Sequence, residues 1–229
     1  METTQNQTPE VKRTSKNNYE AMDESIVKMK ETFSNASLPE IFAVMVTVGY
    51  TAEKIADLNA KTLALETLCQ VQTKEYADQY AGQEKFKEKH AEINAVFNQH
   101  RSLLRVFFKS NIQAWVALKL DIPTPKAYST WLELLTSFYA QIVSDPNLLS
   151  QVQTVSISMQ AITAQTQALT ELQVIKDSLR HETSEAQEAT ETRDRAFDEL
   201  YPLYSEYIKY AKILLPNDQK LEAIGVRVK

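Results

Sequence analysis

Three glycines, Gly49, Gly82 and Gly225, are all that 229 residues contain, beside seven prolines. Tight turns and sheet bends consume those two residue types, one for its access to positive φ and the other for its fixed negative φ. A chain so poor in them has few places to turn, so long helices are what it can build. Ala, Gln, Glu, Lys and Leu, all good helix formers, fill the sequence instead. The fold class is all-α.

Apolar periodicity supports this and places the elements. Met22, Ile26, Met29 and Phe33 recur at helical spacing in a first helix from Tyr19. Pro39 opens a short helix, since proline suits a first turn, and Gly49 closes it. Thr51 is placed to cap a long helix with the stripe Ile55, Leu58, Thr62, Leu65, Cys69, Gln72 and Tyr76, in alternating steps of three and four. Gly82 is the expected turn, with one continuous helix over 51–118 as the open alternative since a lone glycine can also sit inside a helix, and Phe86, His90, Ile93, Phe97, His100, Leu104 and Phe107 resume the stripe beyond it. A short helix over Ile112 to Leu118 follows. Ile122-Pro123-Thr124-Pro125 is the clearest break.

Beyond that break the order repeats. Trp131, Leu134, Leu135, Phe138 and Ile142 mark one helix, Asp145-Pro146 opens a short one, and Ser158 caps a long one. Ile162, Leu169, Leu172, Ile175 and Leu179 form its stripe, which turns polar over 182–193. Phe197, Leu200, Tyr204, Tyr207, Ala211 and Leu214 form the last stripe, closed by Pro216-Asn217-Asp218, with a terminal turn from Leu221 to Ile224. Laid on the first half without a gap so that Pro146 meets Pro39, the second half brings Ser158 to Thr51, Ile162 to Ile55 and Leu172 to Leu65. The expected architecture is an antiparallel up-and-down four-helix bundle of two duplicated helical hairpins, with short capping helices. Residues 1–17 are expected to be a disordered tail and 18–229 a single bundle domain with pseudo-repeats 19–118 and 126–225. Hairpin tips are expected over 72–85 and 182–193, and a kink near 198–202, where Pro202 removes a hydrogen bond to Asp198, with a new helix starting there as the alternative.

A formal charge of −5 offers no global positive field, so nucleic acid is not an expected partner. The small basic cluster Lys12, Arg13 and Lys16 sits in the polar tail. The lone cysteine, Cys69, forbids an internal disulfide and suits a reducing, cytoplasmic compartment. The first residues lack the apolar run of a signal peptide. No stretch reaches the ~18 apolar residues that span a bilayer, and a membrane is not an expected partner.

Residue types that carry chemistry are few. His90 and His100 lie ten residues apart on one helix face, too far for one metal, and read as packed stripe positions. Asp177, His181 and Glu185 stand at i, i+4 and i+8, a spacing that can present metal ligands but equally forms a solvated ion-pair row. The Glu-x-x-His pair of di-iron bundles is absent before all three histidines. Cys69 falls on a stripe, where a buried thiol is inert. Nucleophile elbows and phosphate-cradling glycine loops are missing, and Glu182, Glu185, Glu188 and Glu191 have no apolar surroundings to raise a pKa. The chain therefore reads as no enzyme, with no catalytic, cofactor or metal site and no cofactor. Tyr201, Tyr204, Tyr207 and Tyr210 drift round their helix, so Tyr201 or Tyr210 should leave the core for a second contact.

Arg193-Asp194-Arg195-Ala196-Phe197-Asp198-Glu199-Leu200, Tyr207-Ile208-Lys209-Tyr210-Ala211-Lys212 and Leu221-Glu222-Ala223-Ile224-Gly225-Val226 resemble a group of uncharacterised bacterial helical-bundle proteins. The likeness covers mainly residues 140–226, and Pro202 departs from the uninterrupted helix of that pattern. The resemblance implies a bundle and supplies no activity, ligand or site residue. A non-enzymatic helical scaffold or protein-interaction module, self-associating or holding a protein partner, is the leading expectation. The alternative is a membrane-active, pore-forming-type helical protein that releases the apolar segment Ile41 to Val48. A small-molecule carrier is a third reading, for which nothing selects a ligand.

Overall fold

A computed structural model describes residues 16–215 and 218–226, and among them there are helices and no strand. In order come α1 (Lys16–Asn35), α2 (Pro39–Met45), a single 3-10 turn (Val46–Val48), α3 (Ala52–Phe107), α4 (Ile112–Ala117), α5 (Tyr128–Ser144), α6 (Pro146–Gln153), α7 (Met159–Leu214) and α8 (Asp218–Ala223). Most of the expected tail, and Pro216-Asn217, lie outside the described residues.

Two helices of 56 residues, α3 and α7, replace the four expected ones of about thirty. The turns expected at Gly82 and over 182–193 do not form; both stretches lie inside a helix. One glycine costs a helix only about 1 kcal/mol, too little to break so long an element. A side chain at Gly82 would also meet Leu179 Cδ1 at 3.4 Å, so the bare Cα lets the two helices lie close. The polar stretches are solvated helix faces tied by ion pairs such as Lys74–Asp78 and His181–Glu185. Pro202 starts no new helix, and it stands on an exposed face where water can reach the freed Asp198 carbonyl.

The chain forms two compact units. Unit 1 holds residues 1–73 and 188–229, hence α1, α2, the first part of α3, the last part of α7, and α8. Its core joins Met29 and Phe33 of α1, Ile41 and Met45 of α2, Ile55, Leu58 and Leu65 of α3, and Leu200, Tyr207 and Ala211 of α7. Thr32 Oγ1 and Asn35 Nδ2 donate to the carbonyls of Ile224 and Ala223 at 2.7 and 2.6 Å, which ties α8 to α1.

Unit 2 holds residues 74–187, hence the rest of α3, then α4, α5, α6 and the first part of α7. Trp131, Leu135, Phe138 and Ile142 of α5 pack on Ile93, Phe97 and Leu104 of α3, with Leu148 and Val152 of α6 and Ile162, Leu169 and Leu172 of α7. Within this unit α3 and α7 run antiparallel: Gln79 meets Thr183, and Lys89 meets Glu171.

Corresponding pieces build both units. The step from Pro39 of α2 to Pro146 of α6 also carries both ends of α3, Ala52 and Phe107, onto both ends of α7, Met159 and Leu214. Thr51 Oγ1 accepts from the Lys54 amide and Ser158 Oγ from the Ala161 amide, so both expected caps form. Buried positions recur at the same step: Ile55, Leu58, Thr62 and Leu65 match Ile162, Gln165, Leu169 and Leu172. Ile93, His100, Leu104 and Phe108 likewise match Leu200, Tyr207, Ala211 and Leu215. Each unit thus takes the first part of one long helix and the last part of the other.

Among the described residues, those with positive φ fall into two pairs, Gly49 (87°) with Ser156 (66°) at this same step, and Gly225 (76°) with Lys119 (50°) at one position less. Unit 1 has glycine at both, and unit 2 has side chains that must bear the left-handed conformation. Ser156→Gly should therefore stabilise the protein, and Gly49→Ser destabilise it, each by about 1 kcal/mol. Both sites are exposed, and no atom lies within 4 Å of a Cβ built at Gly49, so backbone strain is isolated. Urea titration of the two variants checks both signs.

Candidate functional site

The Asp177, His181 and Glu185 row divides. Asp177 pairs with Arg180 at 3.6 Å, while His181 Nδ1 lies 3.0 Å from Glu185 Oε2. Instead, α3 brings Glu75 to Glu182 and Glu185, with oxygens within 4.8 Å of one another. Sequence spacing shows Glu182 and Glu185 on one helix, and it carries no signal for Glu75, which arrives from the other. Lys74 supplies a counter-charge, its ammonium 3.3 Å from Glu75. The group is an open acidic patch, and no ion is assigned to it.

His90 and His100 are packing residues of unit 2, as the stripe implies. His90 lies against Trp131 with ring centroids 4.2 Å apart and stacks on Phe86. His100 Nδ1 and the Tyr139 hydroxyl share a hydrogen bond at 3.1 Å. Burial pushes both imidazoles below their ordinary pKa, because an imidazolium loses its hydration there. The unfolded chain, with histidines at about 6.5, therefore takes up protons first as the pH falls. The contribution of these two groups to stability is complete above about pH 6.5 and is lost as the pH falls below it. Urea midpoints at about pH 7.5 and about pH 5 should differ in that sense, and His90→Gln with His100→Gln should shrink the difference.

Unit 1 holds a polar interior that sequence reasoning missed. Arg193, in the stretch expected to be a tip, is buried, and its Nη1 donates to Gln72 Oε1 at 2.9 Å. Its Nε donates to Asp194 Oδ1 at 2.9 Å, and Nη2 reaches the same oxygen. Gln72 on the α3 stripe is the available signal that something polar faces it. Cys69 is half-buried nearby, and burial pushes its thiol up, opposed by the Arg193 charge. A thiol held protonated is a poor nucleophile.

The tyrosines divide as their drift requires. Tyr207 is fully buried, edge-on to Phe33 at 5.7 Å and to Tyr50 at 4.9 Å, whereas Tyr201 and Tyr210 are exposed. Desolvation raises the Tyr207 pKa to about 12. Tyr50 donates to Glu206 at 3.3 Å. These rings join α1 and the α2–α3 connection to α7; they are core, with two exposed members.

The most unusual surface is at the end of α3 and on α4 in unit 2. Val106, Ile112 and Val116 are 80, 78 and 64 % exposed, and Leu103, Phe107 and Ile122 are exposed too. Phe107 falls on the stripe read from the sequence, but Phe108 takes the interior. Comparison of the chain with protein-family models, curated proteins and solved structures finds no match.

Proposed function

We propose that the chain is a non-catalytic helical scaffold, built by tandem duplication of one helical segment, that acts by presenting surface to partners. The recurrence of caps and buried positions at one offset, with the left-handed residues at that offset or one position short of it, carries this reading. Its chemistry-bearing side chains support it: His90, His100, Arg193 and Cys69 are held in packed surroundings, and Glu75, Glu182 and Glu185 form a patch partly open to solvent. The likeness to bacterial helical-bundle proteins and a cytoplasmic setting, suited to the lone thiol, belong to the same proposal.

The pore-forming alternative has less support. Ile41 and Met45 of the segment 41–48 are buried in the unit 1 core, so its release would cost that core. No helix among the described residues is long and apolar enough to cross a membrane. Light scattering combined with affinity capture tests the scaffold: a self-associated particle or a stoichiometric complex is expected. A monomer that captures nothing overturns it.

A further inference from the structure

We propose that the end of unit 2 formed by the last turns of α3 and by α4 docks on an anionic lipid surface. This goes beyond the scaffold reading and does not depend on it. The expectation that a membrane is no partner rests on the lack of a spanning segment, and interfacial docking needs none.

Leu103, Val106 and Phe107 share one face of α3 at i, i+3 and i+4, and Ile112 and Val116 share one face of α4 at i, i+4. All five are exposed and lie within fourteen positions of the chain. Residues 101–126 also hold five basic side chains against one acidic, Asp121, in a chain whose net charge is −5. Arg101 is consumed internally; Arg105, Lys109 and Lys126 are exposed, and among the described residues neither they nor Lys119 forms an ion pair. Apolar residues ringed by Lys and Arg are what binds at the headgroup boundary.

Unit 1 supplies an internal control. In the register that aligns Lys119 with Gly225, one position short of the step between the long helices, Ile112 and Val116 of α4 correspond to Asp218 and Glu222 of α8. A helix at this place in the unit folds with acidic residues there, so the aliphatic residues of α4 are not demanded by the fold. Other occupants fit worse. A second copy brought face to face would oppose like charges, and protein interfaces are depleted in the lysines that flank this surface.

The test uses the full chain with vesicles of phosphatidylserine and phosphatidylcholine, against phosphatidylcholine alone. Roughly tenfold stronger co-sedimentation with the anionic vesicles is expected, weakening as salt rises from about 0.1 to about 0.5 M. A blue shift of emission from Trp115, half-buried on α4, should accompany it. Lys109→Gln and Lys126→Gln should each weaken binding about fivefold. The double variant Ile112→Asp, Val116→Glu, which copies α8, should abolish it while helicity by circular dichroism is unchanged. No binding, equal binding to neutral vesicles, or undiminished binding by the double variant overturns the proposal. So does a dimer that the double variant dissolves with lipid binding unaffected.

Discussion

Trp131→Ala is expected to lower stability by about 3–5 kcal/mol, the range for deleting a large aromatic from a packed core. Trp131 stands in the first turn of α5 and is almost wholly buried. One face meets His90 at 4.2 Å, and Tyr128 stacks beside it at 5.9 Å. Its indole Nε1 donates to Asn94 Oδ1 at 3.0 Å, which also fixes α5 to α3. Alanine leaves a void the size of an indole, bounded by rigid helices that cannot collapse into it, and strips Asn94 of a donor. Trp131→Phe separates the two effects. It keeps much of the contact area and loses the hydrogen bond, and should cost about 1–2 kcal/mol. Against a total stability of about 5–15 kcal/mol the alanine loss is large. Urea unfolding followed by circular dichroism reads both variants; a loss below about 1 kcal/mol for Trp131→Ala would mean that α5 does not pack on α3 through this ring.

Much of each unit is written in local spacing. Ser158 and Thr51 are identifiable as caps because a hydroxyl there has helix amides within reach three residues on. The stripes locate the cores, since an apolar residue every three or four positions can be hidden on only one side of a helix. Tyr201 and Tyr210 leave the core because a three-residue step drifts round the helical turn. Chain reversal is not legible at Gly82. A polar, glycine-containing stretch looks alike whether it is an exposed helix face or a hairpin tip, and the deciding contact, Leu179 against the bare Cα, comes from the other long helix. Arg193 with Gln72, and Glu75 with Glu182, escape for the same reason. Side chains on different helices share no sequence spacing.

The two units also differ at matching positions. Much of the buried stripe is kept, although Thr62 stands where the second unit has Leu169, His100 where the first has Tyr207, and buried Phe97 where the first has half-buried Tyr204. Burial constrains size and location more than identity. Where the chain passes on from α4 to α5, unit 2 needs something unit 1 lacks, and it is supplied by Arg101, whose equivalent in unit 1 is Ile208.

Arg101→Ala should cost about 3 kcal/mol and free the α4–α5 connection. The guanidinium is buried; Nη1 donates to Thr124 Oγ1 at 3.1 Å and Nη2 to the Lys119 carbonyl at 2.8 Å and to the Ile122 carbonyl. Burial, together with the Arg105 charge, lowers its pKa, yet an arginine lowered from so high a value remains cationic at neutral pH. Residues 119–124 end one helix and run through Pro123 before the next; the Lys119 carbonyl accepts from the Ile122 amide at 3.3 Å as well as from Arg101, and the Ile122 carbonyl has the fork of Arg101 as its donor. Deleting it leaves the Ile122 carbonyl and the Thr124 hydroxyl without this donor, at about 1–3 kcal/mol each where water cannot reach, and the Lys119 carbonyl with the Ile122 amide alone. Arg101→Lys keeps the charge but cannot reach three acceptors from one plane, and should recover less than half of the loss. Arg105→Ala, which gives up only the Nε bond to the Leu120 carbonyl at 2.8 Å, should cost about 1 kcal/mol. Trypsin reads the connection directly, since Lys119 and Lys126 flank it. Cleavage there should quicken in Arg101→Ala, under conditions where the parent is intact and Arg105→Ala is nearly so. Unchanged cleavage would show that the connection is held by its own backbone.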